Sequence, residues 1–169
     1  IEGPDLSKPL DDATFAEIHR AWLENNVIFF RGQTMTPQQY LRFAKRWGDI
    51  HLHPYMKGMQ ENPEIFEIIK TETETKNFGN RWHTDQQFCP DPAKATMLYA
   101  LETPPAGGDT MFANLYLAYD ALSDGMKDML SRVKTYNMGD RKYGGKGRAE
   151  RYHGGGDTMA GRVAPPSVA

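Results

Sequence analysis

The chain has 169 residues, 39% of them hydrophobic and 25% charged, with a net charge of −2. Counting its 16 Gly, the apolar share is about 48%, which excludes a wholly disordered chain. A near-neutral charge and a pI of about 6.2 argue against a general nucleic-acid binder, and the uncharged run in the apolar middle, Thr110 to Tyr119, falls far short of the ~20 residues a bilayer span needs.

Phe15, Ile18, Trp22 and Leu23 recur at helical spacing and predict a helix from Asp12 to Asn25, capped by Asp11 or Asp12. Val27-Ile28-Phe29-Phe30 is a short β-prone run stopped by Arg31-Gly32. A second helix starts with Thr36 as N-cap, Pro37 as first helical residue and Gln39 completing a capping box. Its buried stripe is Tyr40, Phe43, Ala44 and Trp47, and Gly48 suits its C-terminal turn. Ile65 to Lys70 reads as a strand, Trp82 to Leu101 is β-prone but interrupted by Pro90 and Pro92, and Asp109 to Ala113 returns as a strand. Ala118 to Val133 is helical in two pieces broken near Asp124-Gly125, and a short strand follows near Lys134 to Met138. From 139 to 162 periodicity ends: eight of 24 residues are Gly and six are Lys or Arg, which predicts a long loop or a partly ordered segment. Two helices followed by short strands and turns suggest an antiparallel β architecture with helices outside, an α+β arrangement that is mainly β.

The strongest local chemistry is Trp82-His83-Thr84-Asp85. On a strand, residues i and i+2 share a face, so His83 and Asp85 can offer an imidazole nitrogen and a carboxylate oxygen to one metal ion. With one distant His, such a pair makes the two-histidine, one-carboxylate face that holds non-haem Fe(II) with positions left open. Alone the triplet is weak, because five His and 12 Asp in 169 residues produce one by chance about a third of the time. A solvated His and Asp on an edge strand is the plain alternative. His51-Leu52-His53 is a rival pair, although Pro54 restrains it and a loop pair of histidines is the simpler reading. Gly107-Gly108-Asp109-Thr110 reads as a turn entering a strand, or as a wall that presents the Thr110 hydroxyl to a carboxylate. Cys89 could join His83 and Asp85 in a zinc site, but a small buried thiol fits the spacing better.

Trp82-His83-Thr84-Asp85-x-x-Phe88, followed by Pro104-Pro105-Ala106-Gly107-Gly108-Asp109-Thr110, resembles the taurine dioxygenase and 2,4-dichlorophenoxyacetate dioxygenase family. Gly3 to Leu10, Val27 to Arg31, Phe43 to Gly48 and Ala118 to Ser123 are also similar to its early segments, so the likeness reaches to about residue 138. The resemblance implies a double-stranded β-helix (jelly roll) and an Fe(II)- and 2-oxoglutarate-dependent oxygenase that uses O₂ and releases succinate and CO₂. It implies that His83 and Asp85 are iron ligands, that Thr110 binds a 2-oxoglutarate carboxylate, and that His53, Tyr55, Asn80 and Arg81 line the substrate pocket. Asp85 points to hydroxylation, since related halogenases lack the carboxylate. Tyr55 stands one residue earlier, and Asn80 one residue later, than in the taurine enzyme, which points away from taurine itself. His53 and Arg81 suggest a small anionic substrate such as a sulfonate or aryloxyacid.

The resemblance also makes residues 1–169 the N-terminal portion of a single oxygenase domain, with 139–162 as a mobile loop over the active site. The third iron ligand and the Arg that clamps 2-oxoglutarate are expected beyond this chain, and His153 is not assigned to the metal. Other readings are an inactive or regulatory paralogue or fragment of the same fold, and a binding module built on the basic Gly-rich segment. The Ile-Glu-Gly-Pro-Asp start has no signal-peptide pattern and the single Cys excludes an intrachain disulfide framework. A cytoplasmic enzyme with a small-molecule substrate is therefore expected, with no nucleic-acid or membrane partner, and the resemblance allows a dimer or tetramer as its assembly.

Overall fold

Helix α1 spans Asp12–Asn25 and begins where predicted: Asp11 is the N-cap, its carboxylate accepting from the Thr14 amide at 2.8 Å. It ends at Asn26, whose φ of 63° lets its amide reach back to the Trp22 carbonyl. Helix α2 spans Pro37–Lys45, and the predicted capping box is present in full between Thr36 and Gln39. The computed structural model describes residues 1–53, 56–73, 79, 81–137 and 167–168. The predicted loop at 139–162 lies outside these residues.

Ile18 from α1 and Phe43 from α2 bury their side chains together with Leu6, and Leu10, Phe15, Ile28, Phe30, Met35, Trp47 and Met97 pack around them. Of the stripe expected on α1, Ile18 is 2% exposed, whereas Leu23 faces solvent, because it sits off the side that meets α2. Leu41, absent from the expected α2 stripe, is buried. Trp47 is an aromatic hub, edge-on to Phe15 at 5.3 Å and to Trp22 at 5.4 Å between ring centroids. Arg46 lies over the Phe15 ring and donates to the Leu10 carbonyl and the Asp12 carboxylate, which ties α2 to the start of α1.

One later segment is stapled onto this helical unit. The Tyr40 hydroxyl donates to the Met97 carbonyl at 2.6 Å, and burial pushes its pKa up to about 12. The Tyr99 hydroxyl accepts from the Met35 amide at 3.0 Å and donates to the Gln33 carbonyl at 3.2 Å. Lys94 donates to the Trp47 carbonyl. Residues 94–99 are thus fixed from one side by α2 and the chain just before and after it.

The helical stretch at 118–133 forms in two pieces, α3 over Leu115–Asp120 and α4 over Asp124–Ser131. The break falls at residues 121–123 rather than at Asp124-Gly125, because Ser123 caps α4 by accepting from the Met126 amide. Among the described residues the strand pairing is short: β1, Tyr136–Asn137, runs antiparallel to β2, Ser167–Val168. The runs expected as strands at 27–30, 65–70 and 109–113 carry no ladder there. A strand needs a paired edge, and Ile69, Leu98, Leu101, Met111 and Phe112 in and near these runs lie open. No helix among the described residues is long and apolar enough to cross a membrane.

Candidate metal site

His83 and Asp85 come together, though not by strand alternation. The chain runs irregularly through Trp82–Thr84 and then turns over Asp85–Phe88, with Gln86 at a φ of 54° and the Cys89 amide donating to the Gln86 carbonyl at 2.9 Å. That turn folds the carboxylate back on the imidazole, leaving His83 Nε2 and Asp85 Oδ1 3.1 Å apart. Both side chains are about half exposed, open to a ligand from solution.

The outer atom of each group is tied. His83 Nδ1 lies 2.6 Å from the Arg81 carbonyl oxygen. A carbonyl only accepts, so Nδ1 donates there and Nε2 is the ring nitrogen turned toward Asp85. Asp85 Oδ2 accepts from the Thr96 hydroxyl at 2.7 Å. Nε2 and Oδ1 face each other at 3.1 Å. Only a shared cation, a proton or a metal ion, makes that contact favourable. An exposed ion pair of this kind is worth little to stability, about 0–1 kcal/mol.

The spacing fits a metal. Two adjacent ligands at about 2.1–2.2 Å from an ion, at right angles to each other, are separated by about 3.0–3.1 Å. A tetrahedral pair at the same bond lengths would sit at about 3.4–3.6 Å. The hydrogen-bonded outer atoms are also the pattern of metal-binding His and carboxylate groups, whose second partners fix tautomer and direction. The residues present suit an ion that prefers octahedral nitrogen and oxygen donors. No group of three or more His, Cys, Asp or Glu side chains suited to a metal occurs among the described residues.

The other predicted residues are placed less tightly. His53 is half-buried, with its ring against Phe66 at 6.2 Å and Phe88 at 6.5 Å, and Phe88 closes the turn that begins at Asp85. Arg81 contributes its carbonyl to His83 while its side chain is exposed. Thr110 is exposed after Gly107 and Gly108, whose φ values of 79° and 75° shape the predicted turn. No contact joins Thr110 to His83 or Asp85 among the described residues. Tyr55 and Asn80 lie outside the described residues. Cys89 is buried with Phe88, its thiol pKa raised by burial, and its Sγ is 3.9 Å from His51 Nε2. It is therefore a packed thiol rather than a third donor beside Asp85.

Sequence reasoning missed Thr96 and Gln86. Thr96 is the one hydroxyl in an otherwise apolar stretch from Ala95 to Leu98, and nothing local in the sequence ties it to Asp85. Gln86 follows Asp85 with a positive φ, and its Oε1 is buried with no hydrogen-bond partner among the described residues.

Comparison with known proteins places these residues in context. The sequence model of the family "Taurine catabolism dioxygenase TauD, TfdA family" matches residues 2–163. An alkylsulfatase of Acinetobacter baylyi is 34% identical over 146 residues, covering 86% of this chain and 45% of the relative. An alpha-ketoglutarate-dependent sulfate ester dioxygenase of Pseudomonas putida is 31% identical, covering 85% and 47%. The alpha-ketoglutarate-dependent 2,4-dichlorophenoxyacetate dioxygenase of Cupriavidus pinatubonensis is 31% identical over 160 residues, covering 83% and 55%. The chain spans about half the length of the curated relatives it matches.

Proposed function

The chain belongs to the TauD/TfdA family of taurine catabolism dioxygenases, and from that premise we propose that it acts as an Fe(II)- and 2-oxoglutarate-dependent dioxygenase. The substrate is a small organic anion of the sulfate ester, sulfonate or aryloxyacid class. The reaction joins substrate, 2-oxoglutarate and O₂ and yields hydroxylated substrate, succinate and CO₂. The observation that carries the reading is the convergence of His83 Nε2 and Asp85 Oδ1 at 3.1 Å, the bite of two adjacent octahedral positions.

His83 and Asp85 would hold the iron. When bound, that iron supplies the oxidising chemistry that couples loss of CO₂ from 2-oxoglutarate to oxygen insertion at a C–H bond. The Arg81 carbonyl keeps the proton on His83 Nδ1, so Nε2 stays available without a tautomer change. The Thr110 hydroxyl would donate to a carboxylate of 2-oxoglutarate. His53 and Arg81 would face the acidic group of the substrate, with Tyr55 and Asn80 beside them. A sulfate ester or aryl ether hydroxylated on the carbon that bears oxygen collapses, releasing sulfate or a phenol. The fold is the family's jelly roll in a single oxygenase domain, to which the extended segments between Ile65 and Ala113 contribute strands. It works in the cytoplasm as a dimer or tetramer.

The test is succinate formation from 2-oxoglutarate by the full-length gene product, supplied with Fe(II) and ascorbate, over a panel of sulfate esters, sulfonates and aryloxyacids. Substrate-dependent succinate is the expected result. Absence of both turnover and Fe(II) binding would overturn the reading.

A further inference from the structure

The carboxylate of Asp85 is held from a second direction. Its Oδ1 faces His83 Nε2 at 3.1 Å, while its Oδ2 accepts from the Thr96 hydroxyl at 2.7 Å. With one oxygen engaged, the group offers the other as a single-point donor. A carboxylate free at both oxygens can rotate and chelate, taking two positions of an ion where one is wanted.

Thr96 owes its position to the helical unit. The next residue, Met97, sends its side chain into the cluster of Leu6, Ile18 and Phe43, and its carbonyl accepts from Tyr40 of α2. Two residues further on, the Tyr99 hydroxyl bridges the Met35 amide and the Gln33 carbonyl. In extended chain successive side chains point to opposite sides, so a Met97 turned inward turns Thr96 outward, toward Asp85. The packed α1–α2 core is thereby one residue removed from the metal-facing carboxylate.

We propose that Thr96 is the positioning residue of the metal site, fixing Asp85 as a one-oxygen ligand and transmitting the rigidity of the helical core to it. The proposal rests on the assignment of His83 and Asp85 as ligands. It assigns a role to the hydroxyl group: Ser in place of Thr96 keeps the role, and Val or Ala loses it. Outer partners of metal ligands typically contribute about 10–100-fold to metal affinity or activity.

The experiment uses the full-length protein and Co(II), whose visible spectrum reports coordination number. Thr96→Val, Thr96→Ala and Thr96→Ser are compared with wild type and with His83→Ala, and circular dichroism checks the fold of each. Thr96→Val and Thr96→Ala should bind Co(II) about 10–100-fold more weakly, with an altered visible spectrum, while Thr96→Ser keeps wild-type affinity and spectrum. Wild-type binding and spectrum in Thr96→Val, with binding lost in His83→Ala, would overturn the role of Thr96 and leave the ligand assignment standing. A Thr96→Ser variant as defective as Thr96→Val would equally overturn it. Equal Co(II) binding by wild type and His83→Ala would overturn the ligand assignment itself, and the role of Thr96 with it.

Discussion

Replacing Tyr40 by Phe removes one oxygen and tests how firmly the segment that carries Thr96 and Met97 is attached to the helices. The hydroxyl donates to the Met97 carbonyl at 2.6 Å in a half-buried setting. A hydrogen bond of this kind contributes about 0.5–1.5 kcal/mol, and a carbonyl left without its donor raises the loss toward ~3 kcal/mol. Near neutral pH, Tyr40→Phe should therefore lower unfolding free energy by about 1–2 kcal/mol. The same side chain predicts a pH effect. Burial raises its pKa from 10.0 to about 12 in the folded chain. Above the unfolded value the unfolded state loses the phenolic proton while the folded state keeps it, so stability falls as pH rises through that window. The ceiling for the whole window is near 2.7 kcal/mol, and the remaining exposure of the ring reduces it to about 1–2 kcal/mol. Urea unfolding followed by Trp fluorescence, at about pH 8 and at steps toward about pH 12, measures both effects. Wild type should lose stability more steeply than Tyr40→Phe across the alkaline steps. Equal stability near neutrality together with parallel alkaline losses would refute the staple between α2 and Met97.

Ile18 is 2% exposed at the centre of the helical core, and Ile18→Ala should reduce unfolding free energy by about 2–5 kcal/mol, read from the urea midpoint. A loss under ~1 kcal/mol would mean that α1 does not pack as described. Cys89 is 5% exposed and burial raises its pKa, so iodoacetamide should alkylate it far more slowly in the native protein than in urea. Equal rates in the two conditions would place the thiol on the surface.

The two N-terminal helices were legible because their signals are local. Asp11, Thr36 and Gln39 accept from amides three residues away, and Pro37 starts α2 with its fixed φ, each as expected. The break between α3 and α4 lies at 121–123, just ahead of Asp124-Gly125, because the Ser123 cap starts α4 and carries Gly125 inside it. The β-prone runs were harder, since a strand is completed by a partner distant in sequence and a single run does not name that partner. The His83–Asp85 pair illustrates both cases. The residue types at His83 and Asp85 were readable, but the geometry that joins them is a turn with Gln86 at a positive φ, not a strand face. Thr96 was invisible to local reading because it meets Asp85 across 11 residues. Leu23 shows the opposite failure: helical spacing marked it for the core, and the single contact side between α1 and α2 was already filled by Phe15 and Ile18.

The most direct test of the account is an anaerobic Fe(II) titration of the full-length protein, set beside His83→Ala and Asp85→Ala, with 2-oxoglutarate-dependent succinate formation measured on the same samples. Nε2 of His83 and Oδ1 of Asp85 lie 3.1 Å apart, so if both hold the iron, loss of either should weaken iron binding by more than the ~10–100-fold of an outer partner and bring succinate to background. Wild-type iron affinity and turnover in either variant would contradict the assignment of these two residues to the metal.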